Sequence, residues 1–198
     1  PANAFAERYE SVLVPVVFRP WAEELIRRAA PVDGEDILDL ACGTGVVTRQ
    51  LAASGVRPGS LTGVDFNGGM LAVARGAARD AGIDAEWIEA DAGDLPLPDL
   101  RFDLAFCQQA LQFFPDRPAA LRELLRVLKP GGRVVFCVQR EMSLNPMLQA
   151  QAGTLEKYVG QDAADAVRAI CGLPNGDAIE ALFEGAGFVE VVVESVSL

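Results

Sequence analysis

The chain has 198 residues, 51% of them hydrophobic, which is enough for one domain of ordinary size with a buried core. Its formal net charge of −11, from 28 acidic and 17 basic residues without a basic block, argues against nucleic acid as a partner. No apolar run reaches about 18 residues. The first ten residues include charged side chains where a signal peptide would need an apolar stretch. We therefore predict a cytoplasmic protein without a membrane span.

Histidine-dependent hydrolysis and most catalytic zinc chemistry are disfavoured by the residue types. The chain has no histidine, which removes the commonest general base and the commonest metal ligand. The cysteines are widely spaced without a C-x-x-C pair, so no metal site is predicted, and we expect reduced thiols that behave mostly as small buried hydrophobes. These cysteines are Cys42, Cys107, Cys137 and Cys171.

Short apolar runs alternate with segments of helical spacing along most of the chain. After an amphipathic stretch at 20–30, the predicted strands are 36–40, 60–65, 85–89, 102–107, 133–138 and 188–196. The predicted helices are 45–54, 68–81, 116–128 and 177–186. Such alternation predicts an α/β fold with a mostly parallel sheet, helices on both faces, and ligands at the carboxyl ends of the strands.

Proline and glycine mark the boundaries of these elements. Pro115 and Pro118 bracket a helix start near Asp116, and the tripeptide 130–132 (PGG) ends the helix at Leu128-Lys129 and turns the chain into the next strand. Residues 139–176 break the alternation with short helical pieces among turn residues. This segment is either an insertion that covers a pocket or an irregular connector.

A glycine-rich turn follows the first predicted strand and opens a helix, in the segment ILDLACGTGVVT at 37–48. Gly43 and Gly45 permit a tight turn and the close approach of a ligand, although a plain tight turn would need them equally. The dinucleotide fingerprint requires a third glycine where this chain has Thr48. The turn therefore indicates a nucleotide-type ligand but disfavours a nicotinamide-dependent oxidoreductase.

Acidic residues follow the second and third predicted strands. Asp65 lies 20 residues after Gly45, where a carboxylate accepts hydrogen bonds from both ribose hydroxyls; the alternative is a cap for the next helix. Asp91 lies at the same rim of the sheet and can accept from the adenine amine; the alternative is an Asx turn ahead of Pro96. Together the two residues predict an adenosyl-containing ligand.

In their order and spacing, four segments over roughly residues 5–140 resemble the class I S-adenosylmethionine-dependent methyltransferases. The closest likeness is to the small-molecule branch of ubiquinone and menaquinone biosynthesis. The segments are ILDLACGTG (37–45), VDFNGGML (64–71), IEADAGDLP (88–96) and FDLAFCQQALQFFPDRPAALRELLRVLKPGGRVVF (102–136). The resemblance implies a Rossmann-like fold, S-adenosylmethionine as the cofactor, and methyl transfer to a small-molecule acceptor by in-line displacement.

The resemblance also implies which residues hold the methionine end of the cofactor. The turn from Ala41 to Gly45, with Gly43 at its centre, lies along the methionine and ribose part. Asp39 helps to orient the amino group, and Gln108 faces the region of the methyl-bearing sulfur.

At the nucleoside end, the resemblance assigns Asp65 to the ribose hydroxyls. Phe66 and Met70 flank the adenine, while Asp91 and the Ala92 backbone bind its edge.

The N-terminal stretch 5–21 looks like the helical lid that closes such sites, with Tyr9 and Phe18 as candidate pocket residues. Aromatic side chains at this spacing equally suit simple packing. No catalytic base is identified, and the pair Arg140-Glu141 also suits a solvated surface. The candidate helpers near the acceptor are Tyr9, Gln109, Gln112, Arg140 and Glu141.

We expect a single domain with a helical lid (1–30), a cofactor-binding core (31–138), a cap-like insertion (139–176), and a final helix and strand (177–198). The family usually closes its sheet with a final hairpin, whereas this sequence stops after the first of those strands, so we expect a sheet without its last strand and a truncated chain. The alternative functions are a cofactor-binding protein without methyl transfer and a nicotinamide-dependent oxidoreductase. Acceptor identity and oligomeric state are not predicted.

Overall fold

A five-stranded parallel sheet is the centre of the molecule in a computed structural model, which describes residues 2–173 and 175–198. The strand order is β3-β2-β1-β4-β5, and every neighbouring pair is parallel. The strands are β1 Asp36–Leu40, β2 Ser60–Asp65, β3 Glu86–Glu89, β4 Phe102–Gln108 and β5 Leu128–Cys137. The predicted parallel α/β sheet is thereby confirmed.

Helices connect the strands and continue beyond them. They are α1 Ala2–Arg8, α2 Arg19–Ala29, α3 Val46–Ala53, α4 Gly68–Asp80, α5 Arg117–Val127, α6 Pro146–Tyr158, α7 Gln161–Ala169 and α8 Gly176–Gly185. A π-helical segment, Tyr9–Phe18, joins α1 to α2, and short 3₁₀ turns are formed by Leu111–Phe113 and Met142–Leu144. In the described ranges, none of these helices has the length together with the apolar content that a membrane crossing needs.

Alternating residues of the central strand point to two different apolar layers. Ile37 packs with α2 and α3, whereas Leu38 packs with the layer that contains α5 and α8. Both side chains are fully buried. Because both faces of a parallel sheet are covered by helices, its strands appear in the sequence as short continuous apolar runs and not as alternating ones.

Side-chain caps fix where α4 and α5 begin. Asn67 Oδ1 accepts from the backbone N–H groups of Gly69 and Met70 at the start of α4. Asp116 Oδ1 accepts from Ala119 N at 2.8 Å, which confirms the helix start predicted near Asp116.

The last strand begins earlier than predicted, because Leu128 already pairs with Phe102. The register then shifts, so that Leu104 pairs with Arg133 and the residues between form a bulge. Within it, a Cβ on Gly132 would lie 2.9 Å from the Lys129 carbonyl oxygen. The glycine therefore permits a close approach of the backbone. Because the strand begins early, α5 ends at Val127, one residue before the predicted boundary.

The predicted strand at 188–196 is wrong, because in the described residues this segment has no regular secondary structure. Phe188 and Val191 pack on the apolar layer that contains α8, which accounts for apolar residues in this segment. On the other side Val189 and Val192 are exposed, and no strand of the described chain pairs with the segment. A strand needs a hydrogen-bonded neighbour, and here the sheet ends at β5.

Residues 139–176 are not an irregular connector, because α6 and α7 form most of the segment. They pack on each other through Leu148, Ala152, Val167 and Cys171. The cap role of this segment stays a prediction, and Pro174, one of its turn residues, lies outside the described residues.

The first prediction concerns Gly45, which has a φ of +80°. A Cβ there would lie 2.7 Å from the Trp87 ring. We expect Gly45→Ala to lower the melting temperature by about 4–8 °C, from a cost of about 2 kcal/mol in backbone strain and clash. The matched control is Gly76→Ala within α4, where a Cβ meets nothing within 4 Å and a small gain in stability is expected. Equal melting temperatures for the two variants would contradict this account.

Candidate functional site

The site lies where the strand order reverses, between β1 and β4, at the carboxyl ends of the strands. Parallel pairing brings Asp39 of β1 beside Phe106 of β4, two residues before Gln108. Asp65 ends β2, which pairs with β1 on its other side. The topology therefore brings the predicted residues Asp39, Asp65 and Gln108 to one rim of the sheet.

The glycine-rich turn crosses this rim with left-handed backbone conformations. Ala41, Gly43 and Gly45 have φ values of +52°, +54° and +80°. The turn is tied to β2, because Cys42 N donates to the Val64 carbonyl at 3.0 Å. A Cβ on Gly43 would meet no atom within 4 Å, so the backbone there borders open space. This is the close access that a ligand needs.

Asp65 is held by the turn and not by the helix that follows it. Its Oδ2 accepts from Gly43 N at 2.8 Å, and its Oδ1 accepts from Asn67 N at 2.9 Å. The alternative role as a helix cap is wrong, because Asn67 caps α4. Burial raises the pKa of Asp65, while the two N–H donors oppose that shift.

Asp39 is buried beneath the turn, with only 1% of its surface exposed. Its Oδ2 accepts from both Thr48 N and Thr48 Oγ1, at 3.2 and 2.8 Å. Burial raises the pKa of Asp39 to about 7, although the hydrogen bonds from Thr48 partly oppose the shift. Sequence reasoning used Thr48 only as a missing glycine; in the fold its hydroxyl ties α3 to the end of β1.

The nucleoside end of the predicted site is more open. Asp91 Oδ1 accepts from Gly93 N at 2.7 Å, so the alternative Asx turn is present, and the second carboxylate oxygen does not take part in it. Phe66 is 75% exposed, while Met70 and Ala92 are half-buried. The exposed ring of Phe66, next to Asp65 in the chain, offers a surface on which a flat base can stack.

The π-helical segment packs over the rim from the N-terminal side. Tyr9 and Phe18 stack on each other with ring centroids 4.9 Å apart and contact the apolar layer that contains α2. Gln108 Nε2 donates to the Phe18 carbonyl at 2.8 Å, which ties this segment to the end of β4. Packing of the two aromatic residues is thus confirmed, and their role in a pocket stays a prediction.

Two of the candidate acceptor residues form a pair after β4. Gln112 is 6% exposed and its Nε2 donates to Gln109 Oε1 at 3.3 Å, while Gln109 Nε2 donates to Cys137 Sγ. Arg140 is exposed, and neither Arg140 nor Glu141 forms an ion pair within residues 2–173 and 175–198. Their burial makes Gln109 and Gln112 better candidates for an acceptor site than the exposed Arg140.

Four buried side-chain oxygens have no hydrogen-bond partner in the described part of the chain. They are Glu10 Oε2, Thr44 Oγ1, Gln108 Oε1 and Gln112 Oε1. All four belong to the rim: its turn, its lid segment and the residues at or after the end of β4. Since buried polar atoms are normally hydrogen-bonded, the cluster indicates a polar ligand with donors. Sequence reasoning missed Glu10 and Thr44, whose only signal was their proximity to Tyr9 and to the glycines.

Comparison with known proteins agrees with this geometry. A family model described as a methyltransferase domain matches residues 38–136. A demethylmenaquinone methyltransferase from Clavibacter sepedonicus is 38% identical over 185 residues, covering 86% of this chain and 72% of the relative. The ubiquinone/menaquinone biosynthesis C-methyltransferase UbiE from Idiomarina loihiensis is 31% identical over 187 residues, covering 88% and 74%. The chain belongs to the class I S-adenosylmethionine-dependent methyltransferases.

A solved structure supports the fold of this methyltransferase independently. A complex of the Haloferax volcanii Trm112 methyltransferase activator with a putative methyltransferase gives a TM-score of 0.71 at 21% identity, covering 94% of this chain and 76% of that chain. The methyltransferase uses S-adenosylmethionine and transfers its methyl group to a small-molecule acceptor. Family membership decides against the nicotinamide-dependent oxidoreductase.

Asp39 generates the second prediction. Its carboxyl group loses a proton near pH 4 when unfolded and near pH 7 when folded, so folding takes up a proton between these values and stability falls as pH rises. We expect Asp39→Asn to raise the melting temperature of the cofactor-free protein by about 4–8 °C at pH 8 and by much less at pH 5. The control is Asp36→Asn on the same strand, where the Lys129 partner lowers the pKa of the carboxyl, so no gain is expected. An unchanged melting temperature for Asp39→Asn at pH 8 would contradict the assignment.

Binding of S-adenosylhomocysteine supplies the third prediction. If the cofactor's ammonium group requires ionised Asp39, binding below pH 7 must expel a proton. We expect the Kd, measured by calorimetry, to fall by up to about tenfold per pH unit between pH 5.5 and 7 and then to level off. Asp39→Asn should bind more weakly at pH 8 and flatten the profile. A Kd that does not change across this range in the unmodified chain would refute the link.

Proposed function

We propose that this methyltransferase methylates a ring carbon of a reduced, quinone-type acceptor. The printed names of both relatives denote methyl transfer in menaquinone or ubiquinone biosynthesis, and one of them denotes a C-methyltransferase. The observation in this chain that carries the proposal is Gln112 Oε1, a buried amide oxygen without a partner in the described residues, next to the paired Gln109. It offers a hydrogen-bond acceptor for the hydroxyl group of a quinol.

The proposed cofactor site uses the residues of the rim. Asp65 binds the ribose hydroxyls, the turn with Gly43 lies along the methionine part, and Asp39 binds the ammonium group. The residues fit the cofactor because Thr44 Oγ1 and Gln108 Oε1 are buried without partners and Gly43 borders open space. The cofactor, when bound, supplies an activated methyl group on a sulfonium.

Phe66 and Met70 flank the adenine in this proposal, and Asp91 with the backbone of Ala92 binds its edge. The exposure of Phe66 and the carboxylate oxygen of Asp91 that is not used in the Asx turn support these two roles.

The acceptor chemistry explains why no strong base is required. In the reduced form, two ring hydroxyls make the ring carbon nucleophilic, and a hydrogen bond to Gln112 Oε1 increases electron density on the ring. Methyl transfer would replace the hydrogen on that carbon, and its proton would leave to water, so no residue of the chain would have to act as a strong base. Tyr9 and Phe18 supply an aromatic wall for such a ring.

Several finer assignments belong to the same proposal. The lid (1–30), the core (31–138), the cap-like insertion (139–176) and the final segment (177–198) act as one domain around the acceptor. Arg140 is the weakest acceptor-site candidate, because it is exposed. The cytoplasmic location predicted from the sequence stays a prediction.

Gln112 provides the fourth prediction. With labelled S-adenosylmethionine and a short-chain 2-alkyl-1,4-naphthoquinol kept reduced, we expect label on ring carbon in the product, identified by mass spectrometry and NMR. Gln112→Leu should lower kcat/KM by about 10–100-fold, the range for losing one hydrogen bond to a buried group, and leave the Kd of S-adenosylhomocysteine unchanged. The control is Gln151→Leu on the exposed side of α6. Label on oxygen, or cofactor binding without any transfer to the quinol, would refute the proposal.

A further inference from the structure

Glu10, in the π-helical lid segment, has a hydrogen-bond partner for only one of its two carboxylate oxygens. Its Oε1 accepts from Arg49 Nη2 at 2.7 Å. Its Oε2 is buried and has no partner within residues 2–173 and 175–198. A buried carboxylate oxygen without a donor loses its hydration and gains nothing in return, at a cost of about 1–3 kcal/mol. Such an oxygen in a native fold indicates a donor that arrives from outside the chain.

The neighbouring arginine does not supply that donor. Arg49 uses Nη1 for the Thr44 carbonyl oxygen and Nη2 for Glu10 Oε1, so it joins the lid segment to the glycine-rich turn. Thr44 Oγ1, in the same turn, is also buried without a partner. Unpaired oxygens therefore lie at both ends of the Arg49 bridge.

The Arg49 bridge holds the lid carboxylate next to the glycine-rich turn, and the charges near Tyr9 agree with this placement. Burial, followed by the charges of Asp65 and Glu10, raises the pKa of Tyr9. The Tyr9 hydroxyl is thus influenced both by the carboxylate that ends β2 and by the one on the lid. The turn and the start of the helix after it are connected to three carboxylates: to Asp65 directly, to Asp39 through Thr48, and to Glu10 through Arg49. The excess of negative charge favours a cationic ligand group.

The methionine part of the cofactor carries a suitable group, a primary ammonium with three N–H donors. Asp39 alone accepts fewer bonds than that group offers, because its Oδ2 is already used by Thr48. We propose that Glu10 is a cofactor-binding residue whose Oε2 accepts a hydrogen bond from the cofactor ammonium, while Arg49 positions the carboxylate against the turn. The lid then binds the cofactor directly, and closure of the lid is coupled to the presence of the ammonium group.

Two ligands separate this role from a structural one, and they give the fifth prediction. S-Adenosylhomocysteine carries the ammonium group, whereas 5′-methylthioadenosine keeps the adenosyl thioether and lacks the amino acid part. We expect Glu10→Gln to raise the Kd of S-adenosylhomocysteine by about 10-fold or more, the range for a hydrogen bond to a charged group. The Kd of 5′-methylthioadenosine should change less than twofold. Glu10→Asp, which keeps the charge, should recover part of the affinity.

The matched control is Glu7→Gln, an exposed glutamate of α1 that forms no ion pair within the described chain. Its affinity for both ligands should equal that of the unmodified protein. Equal weakening of both ligands by Glu10→Gln would assign Glu10 to lid packing and overturn the proposal, as would no weakening of either. An unmodified chain that binds neither ligand would overturn the cofactor site together with the proposal.

Discussion

The burial of carboxylates at the carboxyl ends of the strands is the constraint on which the site depends. A charged group transferred from water to a protein interior is unfavourable unless donors or an opposite charge compensate it. Asp65 has two backbone N–H donors and Asp39 has the N–H and hydroxyl of Thr48. These bonds hold both side chains in place and favour their charged forms, while burial raises the pKa of each, so the negative charge offered to a cation depends on pH.

A large ring packs against the end of the tight turn and against β2. The Trp87 side chain from β3 lies so close to Gly45 and Gly63 that a Cβ on either glycine would approach the ring to 2.7 and 2.5 Å. The two glycines therefore serve packing on their inner side, while the outer side of Gly43 stays open. Glycine is therefore needed in this turn for different reasons. Gly45 leaves room for the Trp87 ring and adopts a left-handed φ, whereas Gly43 leaves the outer side of the turn open.

The strands β1 to β4 were predictable within a residue or so because a buried parallel strand needs a short apolar run between turn residues. The turn and Asp65 were predictable because glycine conformation and carboxylate spacing are local properties. The role of Thr48 was not, because it depends on the distance between α3 and β1 in three dimensions. For the same reason Glu10 gave no signal beyond its proximity to Tyr9, as its partner Arg49 is 39 residues away. The segment 188–196 misled because packing against the layer that contains α8 favours the same apolar residue types as a strand, although no neighbouring strand of the described chain pairs with it.

The distribution of charge around the proposed cofactor follows from what methyl transfer requires. A carboxylate beside the sulfonium would stabilise the positive charge before transfer more than in the transition state, where that charge is dispersed, and would slow the reaction. Carboxylates at the ammonium group, whose charge does not change, and at the neutral ribose hydroxyls add affinity without this cost. Asp39, Asp65 and Glu10 belong to those two ends in the proposed arrangement. The residues at and after the end of β4 are the neutral amides Gln108, Gln109 and Gln112, which suits the end where the charge is lost.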